Sequence, residues 1–228
     1  MKEIDIIEKL NGKAVFSVQD VQRIGGFPKQ YAALVLGRLK KRGLIRRITK
    51  NAYTVKKDIL VIASNLKIPS YISFWSASAH YGFTEQALNT VYVACTRKVR
   101  EIGFEGHKIR FVKVREFFGY EKVRGENGDM FIATQEKLLI DSLLHFREMG
   151  NFDEIEKVFQ KASITKEKIV ECLKKAENLS LVKRAGYLLE KHKNMDISAH
   201  FKMDRNYVFL NQFSGKYRSL DFKWMVKL

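Results

Sequence analysis

SVQDVQRIGGFPKQYAALVLGRLKKRGLIRRITKNAYTV runs from Ser17 to Val55, and its punctuation divides it into two helices and a hairpin. Ser17 stands where a helix N-cap belongs, with Asp20 three residues on as a weaker relative of the capping box. Val18, Val21 and Ile24 recur at helical spacing as a buried stripe, and Gly25-Gly26 supplies the left-handed residue that ends a helix. Pro28 suits the first turn of the next helix, which runs to about Arg42. On it Ala32, Val35, Leu36 and Leu39 follow i, i+3, i+4, i+7 and face the core. Gln30, Leu34, Gly37 and Lys41 are thereby turned outward, flanked by Arg38. An outward Gly37 costs about 1 kcal/mol of helix propensity relative to alanine, and it removes bulk where another surface can approach. After Gly43, two short strands are expected around Thr49-Lys50-Asn51-Ala52.

Upstream, EIDIIEKL (3–10) spaces Ile4, Ile7 and Leu10 as one stripe and stops at Asn11-Gly12. Three helices, the last two joined by a tight glycine turn, and then a basic hairpin predict a winged helix-turn-helix over residues 1–57. In that arrangement the third helix enters a DNA major groove and the wing reaches phosphates or the adjacent minor groove. Lys29, Gln30 and Tyr31 then lie where side chains meet base edges. Gln30 suits adenine N6/N7, and Leu34 suits a thymine methyl. Arg38, Lys41, Arg46, Arg47 and Lys50 are expected to hold phosphate, and Asn51 and Tyr53 fit either role. RLKKRGLIRR (38–47) alone carries six cations, Arg38, Lys40, Lys41, Arg42, Arg46 and Arg47, which favours binding over mere solubility. The competing reading makes the module a protein-interaction domain, with Leu34 packed on a second domain and Tyr31 at the core edge.

The bulk numbers point the same way. The 228 residues carry a net charge of +17, with 46% hydrophobic content and 2 prolines. That is enough chain for one large or two small domains with a proper core, and the charge asks for a polyanionic partner. Residues 1–57 hold 14 Lys+Arg against 4 Asp+Glu, and the remainder holds 28 against 21, so most of the surplus sits in a quarter of the chain. Cys95 and Cys172 form no CxxC pair and no metal-ligand spacing, which fits a reduced protein without a metal or other cofactor. There is neither a signal-peptide pattern nor a run of transmembrane length. A soluble cytoplasmic protein with no membrane partner is expected.

Residues 58–228 read as a second, mixed α+β domain, with no Pro/Gly/Ser-rich linker before it. A helix is expected over 56–67, strands at TVYVACT (90–96) and KIRFVKV (108–114), and a basic connection, RKVREIGFEGH, between them. Thr134 caps a helix bearing Leu139, Leu143 and Phe146 on one face. Further helices are expected at 152–161, 165–176 and 180–191, and two strands about the Ser-Gly turn of the last twenty residues. The five histidines form no HExxH or HxH cluster, and no GxSxG, P-loop or GxGxxG is present. His80 reads as a packed or capping residue. Asp141, amid an apolar helix, reads as a buried anchor rather than a catalytic acid. Glu121-Lys122 and Glu136-Lys137 have the wrong spacing for a restriction-type nuclease, so no catalytic residues are assigned and a non-enzymatic protein is expected, the alternative being a nucleic-acid-processing enzyme whose C-terminal domain acts on what the winged helix captures. Arg97, Lys98 and Arg100, beside Tyr92 and Phe111, allow additional nucleic-acid contacts, RNA included.

The order of motifs then carries a resemblance. A basic winged helix followed by YISFWSASAHYGFTEQ, TVYVACTRK, IRFVKV, TQEKLLIDSL and RAGYLLE resembles the AbiEi family across nearly the whole chain. Those proteins are antitoxins and transcriptional regulators of type IV toxin–antitoxin and viral-defence loci. The resemblance implies a repressor that binds inverted repeats in its own promoter, with self-association on DNA as an option. It also implies a C-terminal domain that contributes to antitoxin function against a nucleotidyltransferase-like toxin, without requiring a tight complex with it. This chain departs from the family at the wing tip. Many relatives place an Arg-Gly turn before the tyrosine, whereas Asn51-Ala52-Tyr53 stands here. Lys50 and Arg47 are left as the substitutes for minor-groove contact.

Overall fold

Ser17 and Asp20 cap each other: the Ser17 hydroxyl accepts from the Asp20 amide, and the Asp20 carboxylate accepts from the Ser17 amide at 2.8 Å. Burial alone would raise the Asp20 pKa, but bonds from Lys13 and Ser17 outweigh it and hold the carboxyl below its ordinary value. The computed structural model describes residues 3–86, 89–125 and 128–228, the side chains of residues 3 and 4 excepted. Helix α1 spans Glu3–Leu10, α2 Val18–Gly25 and α3 Lys29–Lys41, followed by strands β1 (Arg46–Thr49) and β2 (Ala52–Thr54). Gly26, at φ +65°, takes the left-handed conformation that ends α2, its amide closing on the Gln22 carbonyl.

Val21, Ala32, Val35, Leu36, Leu39 and Ile45 gather into one core with Leu10 and Phe16. On α1 Ile6 and Leu10 are buried and Ile7 is half-buried against the same core, so Ile6 joins the expected stripe of Ile4, Ile7 and Leu10. The Ile4 side chain lies outside the described residues. Three isoleucines in four positions leave i, i+3 and i, i+4 spacing equally open, and only the tertiary contacts choose.

Asp58 caps α4 (Ile59–Leu66) by accepting from the Leu60 and Val61 amides. Then come β3 (Ser70–Ile72), α5 (Phe74–His80), β4 (Thr90–Cys95), β5 (Ile102–Phe104), β6 (His107–Lys113), β7 (Tyr120–Gly125) and β8 (Gly128–Ala133). They build a six-stranded sheet in the order β5-β6-β4-β3-β8-β7. Strand β4 runs parallel to β6 and antiparallel to β3, while β5 and β6 form an antiparallel pair. The basic connection expected between two strands therefore contains a strand of its own. β7 was hidden for a different reason: all but one of its residues are exposed, so it carries no apolar alternation.

The chain forms two compact units. One holds Met1–Ile72, Asn89–Lys113 and Lys122–Ile132, and the other Ser73–Leu88, Val114–Glu121 and Ala133–Leu228. The first thus takes in α4 and sheet strands besides residues 1–57. The second is built on α6 (Gln135–Leu144), α7 (Phe152–Lys161), α8 (Lys166–Ala176) and α9 (Leu179–Lys193). Thr134, Asn151, Thr165 and Asn178 each cap the helix that follows them. Phe146 falls beyond α6, in the 3-10 turn Phe146–Met149. The chain closes with β9 (Val208–Phe209), β10 (Leu220–Asp221) and β11 (Val226–Lys227). They do not form a hairpin about Ser214-Gly215: β11 pairs parallel with β9 and antiparallel with β10. The protein is mixed α+β, and no described helix is long and apolar enough to cross a membrane.

Gly186 on α9 admits the buried Trp224 ring, which lies 2.1 Å from where a β-carbon would stand. The Trp224 indole N–H donates to Glu190 at 2.6 Å, so the ring cannot retreat without losing that bond. Gly186→Ala is expected to destabilise the protein by about 1–3 kcal/mol through overpacking, despite alanine's better helix propensity. Denaturant unfolding checks this, and an unchanged or raised midpoint would contradict the packing argument.

Candidate nucleic-acid interface

Ala32, Val35, Leu36 and Leu39 are buried on the inner face of α3, so its outer face is fixed by geometry. Gln30, Ala33, Leu34, Gly37, Arg38 and Lys41 all stand exposed there, with Leu34 at 59%. Ala33 joins this face unforeseen, although it lies three residues after Gln30 and four before Gly37. With Gly37 it makes the middle of the helix low, so a second surface can approach the backbone closely. Tyr31, 42% exposed, is steadied from the side by Phe27, ring against ring edge-on at 4.9 Å. It thus lies at the rim rather than in the core.

The charge on this surface is not balanced within the fold. Between Asp20 and Asp58 the chain has no acidic residue and eleven Lys or Arg. Among the described residues, no carboxylate pairs with Lys29, Arg38, Lys41, Arg47 or Lys50. Arg38, Lys40 and Lys41 occupy the last turn of α3, where the helix dipole favours cations. That stabilisation does not extend to Lys29, a cation in the first turn of a helix that has no acid there. Nor does it explain Arg47 and Lys50 on the hairpin, which are also exposed.

The β1–β2 hairpin residues divide into two groups. Asn51, at φ +60°, accepts from the Val18 amide at 3.1 Å and donates to Gln19 at 3.0 Å. Its side chain is spent on fixing the hairpin turn to the start of α2. Tyr53 exchanges backbone bonds with Phe16 and lies against its ring at 6.3 Å. Arg46 donates to Glu105 at 2.6 Å, with its guanidinium 5.7 Å from the Phe104 ring centre. These three therefore serve inside the unit. Arg47, whose Nε–H donates to the Thr49 carbonyl at 3.3 Å, and Lys50 keep their charges outward. No pattern in the sequence separates Arg46 from Arg47, because the partner of Arg46 lies 59 residues away.

Arg97, Lys98 and Arg100 are exposed in the loop between β4 and β5, and Arg97 donates to the Ile68 carbonyl at 3.4 Å. The aromatic platform expected beside them is not there. Phe111 is buried and Tyr92 is half-buried, the latter under the Arg110 guanidinium at 5.6 Å. Parallel pairing with β4 turns Phe111 to the core face, where Ile109 and Val93 also lie. Among the described residues no group of three or more His, Cys, Asp or Glu is placed to hold a metal ion.

No protein-family model matches the chain. No curated protein matches it either. A solved structure does. The crystal structure of the RV2827C protein from Mycobacterium tuberculosis is similar, with a TM-score of 0.64 and 13% identity over 98% of this chain and 89% of that one. At that identity the likeness concerns the fold alone.

Proposed function

We propose that the N-terminal module is a winged helix-turn-helix and that the protein is a sequence-specific, DNA-binding transcriptional repressor of its own promoter. The observation that carries this reading is the outer face of α3: a low centre at Ala33 and Gly37, Gln30 and Leu34 beside it, and cations without internal partners at both ends. A helix of about 10–12 Å diameter fits a major groove about 12 Å wide, and B-DNA supplies the missing negative charge. Gln30 and Leu34 then read base edges, while Lys29, Arg38, Lys41, Arg47 and Lys50 hold the backbone. The wing has no arginine-glycine tip, so Lys50 and Arg47 are the side chains left to grip the phosphates that flank the minor groove.

The resemblance to the AbiEi family, carried by the order of its motifs, extends the proposal to an antitoxin whose toxin is nucleotidyltransferase-like. Sequencing the neighbouring reading frames tests the pairing: a nucleotidyltransferase-like one is expected, and its absence would leave a stand-alone regulator. The DNA-binding reading is tested by fluorescence anisotropy with the upstream region of the gene: a scrambled duplex of equal length must bind at least tenfold more weakly. Equal affinity for both rejects specific repression.

The arginine pair gives a sharper check. Arg47→Ala is expected to reduce the slope of log affinity against log salt by about one, as one phosphate contact is lost. Arg46→Ala leaves that slope unchanged, because its guanidinium belongs to Glu105. Equal effects from the two would contradict the division of the wing.

A further inference from the structure

Exposed rings collect at the C-terminal end of the second unit. Nine large hydrophobic side chains stand exposed among the described residues, and Phe213, Tyr217, Leu220 and Phe222 fall within ten consecutive positions. Phe213 packs on Phe146, Tyr217 on Phe209 and Phe222 on Tyr207.

Register shows how part of it is built. Leu220, Lys227 and Phe209 lie side by side across β10, β11 and β9, and residues so paired share a face. The alternate row carries Val226, which is fully buried, so the row of Lys227 faces outward. Tyr217 folds over this face. The Lys227 ammonium is 4.8 Å from the Phe209 ring centre and 5.2 Å from that of Tyr217, and the two rings are 6.1 Å apart at 69°. Tyr217 is 50% exposed, so the ring keeps area open to solvent. A cleft of about 460 Å³ is lined by Tyr217, Lys216, Arg218 and Asn211. Among the described residues, no side-chain carboxylate pairs with Lys216, Arg218 or Lys227.

An open Tyr217 ring beside cations without a side-chain carboxylate partner meets the needs of one class of ligand. Bases of a single strand stack on rings, and its phosphates pair with the cations between them. A duplex keeps its bases stacked inside, and an apolar peptide leaves the cations unused. RNA offers unstacked bases in loops and ends, which is where aromatic platforms read it. We propose that the outer face of the β9–β11 sheet, with Tyr217 as its stacking ring and Lys216, Arg218 and Lys227 as phosphate partners, binds single-stranded RNA.

The test uses the full chain and a labelled, uridine-rich 12-nucleotide RNA, read by anisotropy against the DNA strand of the same sequence. The RNA is expected to bind more tightly than the DNA. Tyr217→Ala should weaken RNA binding about tenfold or more, the range of one base–aromatic stack. Lys216→Gln with Arg218→Gln should flatten its salt dependence. Arg38→Glu with Lys41→Glu should leave RNA binding unchanged, which keeps this proposal separate from the fate of the DNA reading. Ultraviolet crosslinking of the unaltered protein to the same RNA covers a variant that fails to fold: crosslinked peptides should map within residues 207–228. Absence of RNA binding, preference for the DNA strand, or crosslinks confined to the first unit would each overturn the proposal.

Discussion

Asp141→Ala is expected to destabilise the protein by about 3–5 kcal/mol, the cost of leaving a buried charge without its partner. Asp141 and Lys137 are both 0% exposed and lie one helical turn apart on α6, with Nζ 2.5 Å from Oδ1. Ser73 donates to the other carboxylate oxygen at 2.7 Å, and the Phe118 ring centre is 4.8 Å from the ammonium. Alanine would strand the buried ammonium against the Phe118 ring, with Ser73 also deprived of its acceptor. For a chain of this size the melting temperature should fall by about 10 °C or more. The double replacement Lys137→Met with Asp141→Leu removes both charges, and should recover most of the loss. Thermal and denaturant unfolding of the three variants decides it. A single alanine variant as stable as the parent would mean that the pair is solvated and not the anchor described here.

Arg38→Glu with Lys41→Glu is expected to lower duplex affinity by about a hundredfold or more at moderate salt, as two phosphate contacts become two repulsions. Both side chains are exposed, and neither is tied to a carboxylate among the described residues, so stability should change little. The replacements do place acids at the C-terminal turn of α3, against the dipole, at a cost of about 0.3–1 kcal/mol each. Circular dichroism and melting separate that small effect from the loss of binding. Wild-type affinity in the double variant would remove the DNA reading of α3.

Much of the α3 geometry was legible because one signal governs it. The spacing of Ala32, Val35, Leu36 and Leu39 fixes the buried face, and the exposed face follows by exclusion. Helices α7, α8 and α9 were legible for a related reason: each begins at an Asn or Thr that caps it. Strands gave less away. β5 and β9 to β11 are two or three residues long, too short for alternation to register, and their pairing is set by distant partners. The same limit applied on the β1–β2 hairpin. Arg46, Asn51 and Tyr53 read as surface residues until Glu105, Val18, Gln19 and Phe16 were placed against them. The face of Phe111 was not legible either, because alternation gives two faces but does not say which of them is covered.

The most direct measurement places a cleaving group on the α3 outer face itself. Leu34→Cys, with Cys172→Ser so that only buried Cys95 remains, carries tethered iron–EDTA onto the upstream duplex. Cleavage is expected at a discrete position on both strands, centred where the helix enters the major groove. Diffuse cleavage along the duplex, or none from a protein that still binds it, would contradict the account.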